Sequence, residues 1–169
     1  MVSKRLLTGT GSHSTNRFID MYSNHMDFLD NDILVARVVD IKRLPVEGLT
    51  FLSNPSDFLQ VGVWQHPKGH SSVPHIHNLL ERAINRTTEV LYIVSGKVHA
   101  DIYGEDGTFI SSTDLEAGQM LLCFGGGHGY EIMEESSMVL EFKNGPYLGP
   151  KLDRTQIDQR CQCEGGVNH

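Results

Sequence analysis

The chain has 169 residues, enough for one domain with a substantial core, and its 39% hydrophobic and 21% charged residues are ordinary for a soluble globular protein. A formal net charge of -7 argues against a nucleic-acid or anionic-membrane partner, either of which calls for a basic face. No apolar run reaches the length of a membrane span and nothing resembles a signal peptide, while three cysteines, an odd count, point to a reducing cytoplasm without disulfides.

Residues 1–30 are mixed and polar, with a short helix expected over Met21 to Leu29. Ile33 to Ile41 is β-branched and reads as a strand. Asn54-Pro55-Ser56 is a turn, Phe58 to Trp64 a second strand, and Pro67-Lys68-Gly69 ends it. Strands are expected next at Pro74 to His77, at Glu89 to Ser95 and at Val98 to Tyr103. Glu105-Asp106-Gly107 signals a hairpin turn. Thr108 to Ser112, Gln119 to Phe124, Tyr130 to Met133 and Met138 to Phe142 complete the series. Short strands at this spacing, separated by Gly, Pro and Asp, indicate an all-β sandwich or barrel. A helical stripe competes only over Leu79 to Ile84, where it would set Arg82 and Arg86 on one face. Lys151 to His169 is a polar tail in which Cys161, Cys163 and His169 give only a weak zinc signal.

Four side chains carry the chemistry. His75 and His77 stand at i and i+2, so an extended backbone points both imidazoles to one side. Glu89 heads an apolar strand, and His128 follows the run Gly125-Gly126-Gly127. Three nitrogens and one carboxylate suit a single divalent transition metal, whether Fe, Mn, Ni, Co or Zn. Glu81, three residues beyond His77 by intervening count, is a weaker alternative to Glu89 because no apolar strand follows it.

These motifs resemble the cupin superfamily, whose first motif runs Gly, five residues, His-x-His, three or four residues, Glu, six residues, Gly. Five residues separate Gly69 from His75, and six separate Glu89 from Gly96. The departure is the gap between His77 and Glu89, where eleven residues stand, so 78–88 reads as an inserted loop. The second motif runs Gly, five residues, Pro-x-Gly-x-x-His, three residues, Asn. Gly118 opens it and Gly125 to His128 fits its end. Cys123 replaces the proline, the first spacer is one residue shorter, and Ile132 replaces the asparagine. The resemblance covers residues 58–148. It implies a jelly-roll barrel there, with 1–57 as an N-terminal extension packing on or pairing with the barrel and 149–169 as a polar tail.

Strand alternation from Glu89 directs Leu91, Ile93 and Ser95 inward and Val90, Tyr92 and Val94 to the other face. Tyr130 shares the side of His128, while Glu131 points away unless a bulge intervenes. Glu141 and Lys143 share a face, either inside the barrel as acid/base and charge clamp or as a solvated pair. The segment around them is similar to one in small bacterial cupins that accompany cell-surface polysaccharide synthesis. The expected activity is metal-dependent work on a small polar substrate, with isomerisation or epimerisation of a sugar or sugar derivative ahead of dioxygenation. Glu131, Glu141 and Tyr130 are the acid/base candidates. A non-enzymatic small-ligand binder and a barrel with a vestigial site are the other readings. Arg82 and Arg86 can grip a carboxylate or phosphate or form a solvated face. Trp64 and Phe124 are expected in the core, and 33–41 is the candidate strand for pairing two copies into a homodimer.

Overall fold

Runs of β-branched and aromatic residues interrupted by Gly and Asp favour strands along most of this chain, and strands are what form. The computed structural model describes residues 17–18, 24–44, 46 and 48–157. Within them the first strands are β1 (Arg17–Phe18), β2 (His25–Asp30), β3 (Ile33–Asp40), β4 (Gly48–Phe51) and β5 (Gly62–Gln65). After a long irregular stretch come β6 (Glu89–Ser95), β7 (Lys97–Tyr103), β8 (Phe109–Glu116), β9 (Gln119–Cys123), β10 (Gly127–Ile132) and β11 (Met138–Lys143). A 3-10 turn at Ile41–Arg43 and a single helical turn, α1 (Pro150–Asp153), are the helical elements among the described residues.

The strands form three layers. A six-stranded antiparallel sheet runs β1-β2-β3-β9-β6-β11, a three-stranded sheet runs β10-β7-β8, and β4 pairs with β5. The larger sheet lies in the middle because it is apolar on both faces. Leu121 and Cys123 of β9, with Leu91 and Ile93 of β6, pack toward Val98, Ala100 and Ile102 of β7. Met120 and Leu122 of the same β9, with Val90 of β6, pack the other way against Leu52 and Val63. Period-two alternation on two adjacent strands thus supplies two cores at once. Arg37 of β3 ties the layers further, clasping Asp27 at 2.6 and 2.7 Å and donating to the Leu52 carbonyl at 3.0 Å.

Several expectations need correction. Where a helix was expected, residues 25–29 belong to β2, because pairing with β3 supplies backbone partners and takes Phe28 fully into the first core; Met21 to Ser23 lie outside the described residues. Pro74 to His77 is not a strand; residues 66–88 contain neither strand nor helix and are almost entirely exposed. The strand expected from Phe58 begins only at Gly62. Trp64 is exposed, whereas Phe124 does pack on the second core. Strand β3 cannot offer an edge to a second copy, since β2 and β9 occupy both of its sides. Among the described strands the free edges are the outer sides of β1, β11, β10 and β8 and of the β4–β5 pair. Cys123 is a buried free thiol, and Cys161, Cys163 and His169 lie outside the described residues. No described helix is long and apolar enough to cross a membrane.

Phe28 is the test of the first core, being the fully buried residue within β2. Phe28→Ala is expected to cost about 3–5 kcal/mol, measured by urea unfolding. A loss below 1 kcal/mol, on the order of a surface substitution, would refute the burial of β2.

Candidate functional site

Glu89 opens β6, directly opposite Cys123 of β9 in the antiparallel register. Both therefore face the gap between the two large sheets. His128 reaches the same gap from β10 in the other sheet, where its cross-strand partner is the buried Ile102. The two meet: His128 Nε2 lies 3.1 Å from Glu89 Oε2.

The turn before β10 fixes that meeting. Val35 is the extra residue of a bulge in β3, between the Phe28–Ala36 and Leu29–Leu34 pairs. Its carbonyl accepts the N–H groups of both Phe124 and Gly125, at 2.8 and 3.2 Å. Gly126 then adopts φ +64°, and a Cβ there would collide with the Tyr103 carbonyl, so only glycine fits. A side chain at Gly125 would strike the ion pair of Arg86 with Glu105, which closes at 2.6 Å. Glu105 also accepts the Gly126 N–H, at 3.1 Å. The glycine run is thus the price of carrying the chain from one sheet to the other within a few residues.

Around the Glu89–His128 contact stand four more polar groups. Tyr130 stacks on His128 with ring centroids 5.0 Å apart, and its hydroxyl lies 3.7 Å from Cys123 Sγ. Lys143 of β11 places Nζ 3.6 Å from Glu89 and 2.8 Å from Glu141, over the ring of Tyr147. Glu141 and Lys143, both exposed, therefore reach the Glu89–His128 contact, with Lys143 standing between the two carboxylates. Glu131 does not, because it faces His99 across the strand pair, on the side of the sheet away from His128.

The electrostatics follow from this geometry. The hydrogen bond from His128, against the opposing cost of burial, holds the Glu89 carboxyl below its usual range, and Lys143 adds to the effect. Burial works against charge on His128, but hydrogen bonds to Cys123 and Glu89 raise its pKa to about 10. Burial also pushes the Tyr130 hydroxyl up, as does the adjacent Cys123, so Tyr130 is a proton donor at neutral pH. Lys143 is raised, chiefly by its bond to Glu141.

His75 and His77 are not brought to this gap. They sit on the exposed 66–88 segment with their rings edge-to-face at 5.1 Å, and His75 Nδ1 contacts the Val73 carbonyl at 3.0 Å. Among the described residues no three His, Cys, Asp or Glu side chains gather as a metal-binding group. Glu81 is exposed on the same segment. The sequence alone leaves Lys143 between a clamp and a solvated pair, and gives Cys123 no role beyond its place in the second motif. The i, i+2 spacing of Glu141 and Lys143, on a strand pairing with the one Glu89 heads, was the available signal for the first.

A separate titrating cluster lies on the outer face of β7 and β8. His99 Nδ1 meets Asp114 at 2.7 Å and Nε2 lies 3.5 Å from Asp101, while Lys97 meets Asp114 at 2.8 Å. The Asp114 bond raises the His99 pKa above its ordinary 6.5. Its contribution to stability is therefore complete below that ordinary value and fades as pH rises through the raised one.

Two outcomes are expected. An NMR titration finds the His99 midpoint above 6.5, and Asp114→Asn returns it toward that value; an unshifted midpoint in the native protein would contradict the pairing. Glu89→Gln weakens a half-buried, charge-assisted contact and lowers stability by about 1–3 kcal/mol, read by thermal unfolding.

Compared with known proteins, the chain matches no family model, no curated protein and no solved structure.

Proposed function

We propose that this chain is a cupin-type jelly-roll protein that holds one divalent transition metal through His75, His77, Glu89 and His128. On this reading it acts on a small polar substrate, with isomerisation or epimerisation of a sugar or sugar derivative favoured over dioxygenation. The observation that carries the proposal is the 3.1 Å contact of Glu89 with His128 across two sheets. Two donors bound to one cation at about 2.1 Å, and spread by roughly a right angle or more, stand about 3 to 3.5 Å apart. A carboxylate and an imidazole at that separation, one from each sheet, fit adjacent corners of a coordination shell.

The reading requires the segment bearing His75 and His77 to lie along the free outer edge of β10. Nothing else in the described strands occupies that edge. Residues 86–88 stay anchored meanwhile, since Asn144 holds both the Thr88 amide and the Arg86 carbonyl. A metal bound there supplies Lewis acidity toward substrate oxygens. The chain's own groups divide the remaining work. Tyr130, kept protonated, donates a hydrogen bond or proton to substrate. Lys143, 2.8 Å from Glu141, orients that side chain, which makes Glu141 the base this geometry favours over Glu131. Cys123 and the apolar wall behind it limit the water that reaches the gap.

Metal content decides the matter. Purified full-length protein is expected to carry or take up about one equivalent of metal per chain, measured by elemental analysis and by titration after chelation. His77→Ala and His128→Ala should each lower affinity at least about tenfold while the folded signature persists. Absence of stoichiometric uptake by the native protein, or unchanged affinity in both variants, would leave a barrel with a vestigial site.

A further inference from the structure

A second recognition site lies away from the Glu89–His128 gap. Two adjoining cavities, of about 310 and 650 Å³, share Ser56, Asp57 and Phe58 as one wall. Residues of the 82–86 segment, Arg82 and Arg86 among them, form the other wall. Phe124 and Thr88 close the inner end of the smaller one. Phe124 packs with the second core, whereas its neighbour Cys123 packs with the first. The groove therefore opens on the opposite face of the six-stranded sheet from Glu89.

From the groove's composition we infer that it binds a small anion, a carboxylate or phosphate monoester, carried on an apolar body. Arg82 has no hydrogen-bond or ion-pair partner among the described residues. Arg86 spends Nη1 on Glu105, which fixes the guanidinium plane and leaves its other N–H groups free to donate. Arg86 lines the smaller cavity and Arg82 the larger, and either guanidinium can meet the planar, two-oxygen face of a carboxylate or phosphate. The carboxylate that lines both cavities, Asp57, already accepts the Asn54 amide at 2.7 Å, which turns part of its charge away. Against these cations stand Phe58 and Ile84, both exposed. Apolar surface beside a few convergent polar donors is the usual make-up of a small-ligand pocket. The chain's net charge of -7 repels anions in general, so any anion held here is held by these two arginines and not by the overall field.

The test uses the full chain and three probes: phenyl phosphate, benzoate and inorganic phosphate. Amide NMR titration is expected to move residues 56–58 and 82–86 with the first or second probe, at lower concentration than inorganic phosphate needs. Arg82→Gln should weaken that binding at least about tenfold, with an unchanged fold by circular dichroism. Arg82→Lys, which keeps the charge and loses the fork, should fall between. His128→Ala should leave the affinity within about twofold, because the metal reading and this one concern different faces. No response at 56–58 and 82–86 at millimolar probe, or equal binding after Arg82→Gln, overturns the inference. So does loss of binding in His128→Ala, which would place the anion in the Glu89 gap.

Discussion

The pairing of β6 with β9 is the constraint from which the rest follows. Both strands are apolar on both faces, so each must be covered twice, and the molecule answers with a layer on either side. Once that pairing is set, period two leaves no choice about Glu89. It must enter the gap with Leu91 and Ile93, opposite Cys123. A carboxylate there is costly unless charge or hydrogen bonds meet it. His128 from the facing sheet and Lys143 from β11 do so. The Glu89–His128–Lys143 cluster is thus a consequence of sheet packing.

The same logic explains why three glycines precede His128. The chain leaves β9 in one sheet and must begin β10 in the other almost at once. The Val35 bulge turns a carbonyl toward the amides of that crossing, and the Arg86–Glu105 pair presses on it from outside. Arg86 therefore has two duties. It braces the turn that presents His128, and it lines the groove on the far face.

Much of this was legible in the sequence, for physical reasons that differ by element. Strand runs such as Glu89 to Ser95 declare themselves because β-branched residues alternate toward two cores, and the predicted sorting of Leu91 and Ile93 from Val90 and Tyr92 is the observed one. The Glu105-Asp106-Gly107 turn needs a positive φ at its glycine, and Gly107 has +83°. Legibility fails where pairing decides the conformation. His25 to Asp30 carries no clear period, and it becomes a strand because β3 offers an edge. Pro74 to His77 has the pattern of a strand and no partner in this arrangement, so it stays irregular. Lys143 was hard to place because its bond to Glu89 depends on the register of β11 against β6, which no local pattern fixes.

The free edges give the last step of the argument. The outer sides of β10 and β11 lack a neighbour among the described strands, and Ile132, Leu140 and Phe142 on them are exposed. On the 66–88 segment Val73, Ile76 and Leu79 are almost wholly in water. Unpaired strand edges and bare apolar side chains are each unfavourable, and each can relieve the other. Burial of one Ile or Leu side chain stabilises by about 1.5–3 kcal/mol, which offsets part of the cost of ordering a strand there, roughly 1–2 kcal/mol per residue. Apolar burial alone leaves the balance against the docked strand. The histidines at i and i+2 would tip it, because a cation shared with Glu89 and His128 adds a term that only the docked strand can collect. On the proposed reading, edge pairing, apolar burial and metal ligation are therefore one event, and the segment's order depends on the ion it helps to hold.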